Sequence, residues 1–199
     1  NKFTKNIFEN IKVAYPSNIE TNKYLKKLGL KKIKKIGNLK FTEIKQQDVS
    51  KFSSSFLKSL NRRIILCAAS THDGEEKIIA NAHLILKKKL KNLLTIIIPR
   101  HTHRINQIDE LISSMDLKTN IRSTNKRIKH DTDVYLVDTY GETKRFFNIS
   151  KVAFIGGSLV KHGGQNPIEP ARYKLNIIHG PNVENFKDIY QLFNKKKID

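Results

Sequence analysis

The chain has no tryptophan, one methionine and one cysteine among its 199 residues. A lone cysteine excludes an internal disulfide framework. Cys67 lies inside an apolar run, so it reads as a core residue of a protein kept in a reducing compartment. No apolar run approaches the about 18 residues of a spanning helix, and no signal-peptide pattern opens the chain. Acidic residues are scarce: 18 stand against 38 basic ones, for a net charge of +20. The sharpest cluster, residues 23–40, holds eight lysines and no acid. Such a balance admits contact with an anionic surface, either nucleic acid or the acidic face of a membrane. It is also met by lysine serving as a default surface residue. Lysine dominates over arginine, and aromatic residues do not interleave with it as stacking platforms for single strands would. Met115 is the only methionine and the first residues resemble the interior of a longer protein, so the chain reads as a fragment. Its length suffices for one well-packed domain plus part of another.

Apolar spacing predicts a short helix over residues 19–28, ended by Gly29, and an extended piece over 32–36. Residues 37–48 read as a linker and 49–60 as a helix. From residue 63 onward strands and helices alternate. Strands are predicted at 63–69, 93–98, 119–122, 134–137, 152–155 and 176–178. Helices are predicted at 75–90, 102–115, 141–148, 167–173 and 183–193. In the helix at 75–90 the apolar stripe comprises Ile78, Ile79, Ala82, Ile85, Leu86 and Leu90. Continuous apolar strands alternating with helices imply a parallel sheet with helices on both faces, an α/β fold of the Rossmann-like kind. No internal repeat and no low-complexity segment stands out.

In such sheets the ligand lies beyond the carboxyl ends of the strands. Residues 154–170 are the richest of these ends. A strand leads into Gly156-Gly157-Ser158; a second pair, Gly163-Gly164, precedes Asn166-Pro167-Ile168-Glu169. Strand, glycine turn and helix start together present backbone N–H groups to a phosphate. Asn166 suits the N-cap and Pro167 the first helical position. Glu169, a buried-looking carboxylate in the first turn, is placed to accept hydrogen bonds from sugar hydroxyls. Arg100 directly follows the strand at 93–98, where a guanidinium suits a phosphate. His101-Thr102-His103 has metal-like spacing, but no Cys or further paired acid completes a site, so no metal is expected. Asp138-Thr139-Tyr140-Gly141-Glu142 ends another strand; Gly141 permits close backbone approach to a ligand, and Thr139 with Glu142 fits a capping box. Ser158 is not in a nucleophile elbow, and no Gly-Lys-Ser/Thr makes either glycine cluster a Walker loop.

Taken in order, seven segments resemble the C-terminal half of the 3-deoxy-D-manno-octulosonate (Kdo) transferases of lipopolysaccharide synthesis. They are residues 37–41, 69–76, 99–101, 138–142, 154–158, 163–170 and 180–181. Any one of them is weak; the ordered set covers nearly the whole chain. The resemblance implies a GT-B fold of two Rossmann-like domains facing a cleft. Residues 1–41 would be the tail of the N-terminal acceptor domain and a linker, and residues 42–199 the C-terminal donor-binding domain. The donor would be CMP-Kdo and the acceptor a lipid A precursor. Work at the cytoplasmic face of the bacterial inner membrane is implied, with peripheral contact through the basic face and with no metal or other cofactor. By position, Arg100, flanked by Pro99 and His101, would hold the CMP phosphate, aided by the amides of Gly156, Gly157 and Ser158 and by Asn166. Glu169 would hold the ribose. Gly141, with Thr139 and Glu142, would line the cytosine pocket, and Ser70 and Thr71 would touch the sugar or phosphate. The family's general base is a carboxylate of the N-terminal domain, so no catalytic base is assigned, and the chain alone is expected to bind donor without turnover. Two alternatives stay open: another GT-B protein using a UDP-sugar, and a basic nucleic-acid-binding module.

Overall fold

The computed structural model describes residues 2–16, 19–34, 51–60, 62–124 and 127–196. The chain divides into two compact units, Asn1–Asp48 and Val49–Asp199. The first unit contains α1 (Lys2–Glu9) and α2 (Ile19–Lys27) and one parallel bridge between Ala14 and Ile33. Helix α1 was not anticipated from the spacing; α2 was, and Gly29 follows it with a positive φ of 90°, the left-handed turn that ends many helices. The expected linker, residues 37–48, and the domain boundary at residue 41 lie outside the described residues.

The second unit is a six-stranded parallel sheet with helices on both faces. In chain order its elements are α3 (Ser54–Ser59), β1 (Ile64–Thr71), α4 (Glu75–Lys87), β2 (Leu93–Pro99), α5 (Ile105–Ser113), β3 (Thr119–Ile121), β4 (Val134–Leu136), α6 (Thr143–Phe147), β5 (Val152–Ile155), α7 (Ile168–Arg172), β6 (Asn176–His179) and α8 (Lys187–Lys196). Each expected strand is present. Helix α3 is shorter than expected because Ser53 caps it, its Oγ accepting from the Phe56 amide at 3.3 Å. Short 3₁₀ turns, Thr102–Arg104 and Glu184–Phe186, precede α5 and α8.

Strand order is β3-β4-β2-β1-β5-β6. All seven residues of β2 are buried, as the apolar run required. Alternate residues face opposite sides of the sheet. Ile65, Cys67 and Ala69 of β1 and Leu94, Ile96 and Ile98 of β2 pack with Phe56 of α3 and with Phe146 and Phe147 of α6. Ala68, Ile97, Val134, Leu136 and Phe154 pack on the other side with Ile79 and Ala80 of α4 and Ile105, Ile108 and Ile112 of α5. Cys67 is wholly buried, and burial pushes its thiol up to about 12.

Helix α4 corrects one expectation. Its buried face is Glu75, Glu76, Ile79, Ala80 and His83, whereas Ile78, Ile85 and Leu86 are 49%, 67% and 38% exposed. The sequence stripe is real, but of its members only Ile79 is buried. The inward stripe at helical spacing carries two carboxylates and an imidazole, which bury because each finds a partner. The His83 Nδ1 pairs with Thr95 Oγ1 at 2.8 Å, and the partners of Glu75 and Glu76 lie at the ligand edge described below.

The chain leaves β1 toward β2 on one side and later places β5 on the other side of β1. The loops after β1 and β5 therefore flank a topological switch point, the place where such sheets open a crevice. A bulge brings these loops together. Register shifts between Ala69 and Thr71, and Ser70, the residue between, has φ 58°. The Ser70 carbonyl then lies so near Gly156 that a Cβ there would sit 2.1 Å from its oxygen.

Two expectations follow for stability. Ile79→Ala should cost about 2–5 kcal/mol, as for buried Ile truncations, while Ile85→Ser should stay within about 0.5 kcal/mol; urea unfolding of both variants compares them. Gly156→Ala should cost about 3 kcal/mol or more, since backbone rather than a flexible side chain blocks the methyl. A wild-type melting curve for that variant would rule out the close approach.

Candidate functional site

Because β2, β1 and β5 are neighbours, Arg100, residues 70–76 and the glycine loop share one edge of the sheet. The Arg100 amide donates to the Thr71 carbonyl at 2.9 Å, and the Gly156 amide to the Ala69 carbonyl at 2.9 Å. The Arg100 side chain is exposed, and no carboxylate among the described residues pairs with it. His72, on the loop after β1, is 8% exposed. Its ring stacks on His162 with centroids 4.1 Å apart and meets His101 edge-on at 6.1 Å. The His101 and His103 rings lie 5.6 Å apart. Gln165 Nε2 sits 3.3 Å from His72 Nε2. The His72 pKa is held below the ordinary histidine value, chiefly by burial and then by the neighbouring His162, against the pull of Glu75. A guanidinium and imidazoles thus converge at the switch point.

The opposite end of the domain shows what a neutralised cluster looks like. A cavity of about 480 Å³ there is lined by Arg63, Lys87, Lys118, Asp131 and Asp133 among others. Lys87 pairs with Asp133 and Lys118 with Asp131. The Arg63 guanidinium is spent on the carbonyls of Asn92, His130, Leu93 and Thr132.

The glycine loop departs from expectation. The amides of Gly157 and Ser158, assigned to a phosphate from the sequence, donate to Glu75 at 2.7 and 3.0 Å, and the Leu159 amide joins them at 2.9 Å. The His72 amide also donates to Glu75, at 2.9 Å. The carboxylate is fully buried, so a helix-borne anion from α4 occupies the cradle. Ser158 Oγ is likewise used, donating to the Ile155 carbonyl and accepting from the Gly180 amide at 2.8 Å. Thr71 is fully buried and its Oγ1 donates to Glu76 Oε1 at 2.9 Å, so its hydroxyl is engaged inside the fold. Glu76 in turn accepts from Arg104 Nη1 at 3.0 Å. Pro99 is buried in register with Thr71. Ser70 keeps partial exposure.

On the β4 side, Glu142 is not free for a base. Arg122 Nε and Nη2 each donate to it at 2.9 Å, and Arg145 and Thr139 donate to it as well. Burial pushes the Glu142 carboxyl up, but these donors outweigh it and hold the pKa below the ordinary value. The expected capping box does not form, because Arg122 claims the carboxylate and the Thr139 hydroxyl turns to it too; α6 starts at Thr143 without a side-chain cap. Gly141 keeps its expected character, exposed at φ 78° with nothing near a Cβ position. The neighbouring Tyr140 is 82% exposed.

Beyond β5, Asn166 Oδ1 accepts from the Ile168 amide at 3.0 Å, the capping bond expected, although α7 begins at Ile168 rather than Pro167. Glu169 is not buried: its side chain is 34% exposed and lies 3.6 Å from Lys144 Nζ. Sequence reasoning missed the roles of His72, Glu75, Glu76, Arg104, His162 and Gln165. The one signal for the glutamates was their position: two acids in the first turn of a helix that follows a buried strand.

No protein-family model matches the chain. It is 38% identical over 184 residues to the 3-deoxy-D-manno-octulosonic acid transferase of Haemophilus influenzae, covering 90% of this chain and 43% of that protein. The transferase of the same description from Aquifex aeolicus is 29% identical over 171 residues, 86% of this chain and 44% of that protein. The chain thus spans less than half the length of these relatives. Among solved structures, the C-terminal CMP-Kdo binding domain of WaaA from Acinetobacter baumannii superposes with a TM-score of 0.66 at 34% identity, over 69% of this chain and 72% of that domain. The chain belongs to the Kdo transferase family, and its fold matches the C-terminal CMP-Kdo binding domain solved for one member.

Proposed function

We propose that this chain is the donor-binding part of a glycosyltransferase that moves Kdo from CMP-Kdo to a lipid A precursor. One observation carries the reading: the Arg100 guanidinium, with no carboxylate partner among the described residues, and the imidazoles of His72, His101 and His162 meet at the switch point of the sheet. A fixed cation and ring nitrogens there suit a phosphate diester that carries a sugar acid. Glu169, partly exposed beside Lys144, takes the ribose hydroxyls. The exposed backbone at Gly141 lies open to the cytosine. The acceptor, the two-domain GT-B arrangement and a place at the cytoplasmic face of the inner membrane, reached through the basic surface, belong to the same reading. No helix among the described residues is long and apolar enough to cross a membrane.

The reaction is displacement of CMP from the anomeric carbon of Kdo by an acceptor hydroxyl. Positive charge builds at that carbon and negative charge on the departing phosphate. Arg100 and the imidazoles stabilise the phosphate; removing one such donor typically costs about 3–4 kcal/mol of barrier stabilisation. The base that takes the acceptor proton is assigned to the other domain, so the chain alone binds donor without turning it over. Kdo transfer by this chain would overturn that assignment.

Calorimetric titration with CMP beside UMP tests the donor. CMP-selective binding is expected, weakened about 10- to 100-fold in Arg100→Ala, as for loss of charge-assisted hydrogen bonds, and also weakened in Glu169→Ala. Equal binding of UMP would favour a UDP-sugar enzyme; affinity that falls steeply with salt and ignores the base would favour nucleic acid. Binding should also be proton-linked. Free His72 is held below the ordinary histidine value; a bound phosphate raises it, so the complex takes up a proton and CMP affinity rises as pH falls through the raised value. Titrations in buffers of different ionisation enthalpy report that uptake, and an uptake unchanged in His72→Gln, which leaves the titration of CMP itself in place, would remove His72 from the site.

A further inference from the structure

Three consecutive amides, those of Gly157, Ser158 and Leu159, converge with the His72 amide on a single point. Glu75 occupies it: Oε2 accepts from His72 and Gly157, and Oε1 from Ser158 and Leu159, all at 2.7–3.0 Å. Convergent backbone N–H groups of this kind make an anion-binding concavity, and four donors use the accepting capacity of one carboxylate. Glu75 also sits at the first position of α4, where the helix dipole favours a negative charge.

The four bonds cross the switch point. Glu75 and His72 belong to the segment after β1; the other three amides belong to the loop after β5. That second loop continues into His162 and Gln165, which stack on His72 at 4.1 Å and approach its Nε2 at 3.3 Å. The separation of these imidazoles is therefore set by the carboxylate that ties the two segments together. We propose that Glu75 is a positioning residue: a built-in anion that fills the glycine-loop cradle, holds His72 against His162, and leaves the donor's phosphate to the guanidinium and imidazoles. The inference rests on the reading of this edge as the donor site.

Removing the carboxylate leaves four N–H groups, three of them buried, without an acceptor, and a space that a small anion fits. Glu75→Ala should melt at a lower temperature than wild type and regain stability in a saturable way with sodium formate, not with sodium chloride at matched ionic strength. If the variant does not fold unaided, its refolding yield against formate concentration gives the same readout. Glu75→Gln fills the space with a group whose N–H₂ opposes the amides, so it should lose CMP affinity about tenfold or more and gain nothing from formate. In the wild type, CMP should shift the ring resonances of His72 and His162 and leave the Gly157, Ser158 and Leu159 amides in place. Identical responses of Glu75→Ala to formate and chloride, wild-type CMP affinity in Glu75→Gln, or CMP-induced shifts centred on those amides would each overturn the proposal. Formate rescue of Glu75→Ala in a protein that binds no CMP would keep the cradle and strike the donor reading.

Discussion

Two backbones meet where no side chain fits. Gly156 packs against the Ser70 carbonyl so closely that even a methyl would overlap it, and Gly180 packs against the Ser158 carbonyl in the same manner, its Cβ position 2.3 Å away. The first contact requires a bulge at the end of β1 and a positive φ at Ser70. From it follow the closeness of the β1 and β5 loops, the reach of Glu75 to the glycine-loop amides, and the stacking of His72 on His162. Strained backbone of this kind persists where the surroundings over-determine it, and it gathers at functional sites.

The edge is organised as paired and unpaired charge. Glu75, Glu76 and Glu142 are buried or nearly so, and every one is met by amides, a hydroxyl or a guanidinium. A buried carboxylate without such partners would cost several kcal/mol. Once these acids are matched, the Arg100 guanidinium and the imidazoles are what this edge has left without a carboxylate partner among the described residues. Electrostatic readiness at this edge is what is left when the internal anions have been satisfied, which is why the surplus of lysine elsewhere on the surface says little about where the ligand goes.

How much was legible from the chain differs element by element. The strands were, because β1 and β2 are buried on both faces and their apolar runs admit no other placement. The positions of Arg100 and Gly141 followed from the ends of those strands. Helix α4 was misread because an apolar stripe at helical spacing is normally the inward one, and here the inward stripe holds Glu75, Glu76 and His83. The glycine-loop amides were assigned to a phosphate, and in the structure they hold the Glu75 carboxylate. That residue lies more than eighty positions earlier in the chain, and nothing local to residues 156–159 announces it. Glu142 is engaged in the same way, by Arg122, twenty residues away.

The sequence by itself determined the parallel α/β class, the order of strands and helices along the second unit, and the family. Those properties rest on local periodicity and on motif order, which are written along the chain. Only the tertiary structure decided which acids are spent, which cations stay free and which helix face turns inward. Those outcomes depend on partners brought together across the sheet, and a hydrogen-bond donor can be satisfied by whichever acceptor the fold delivers first.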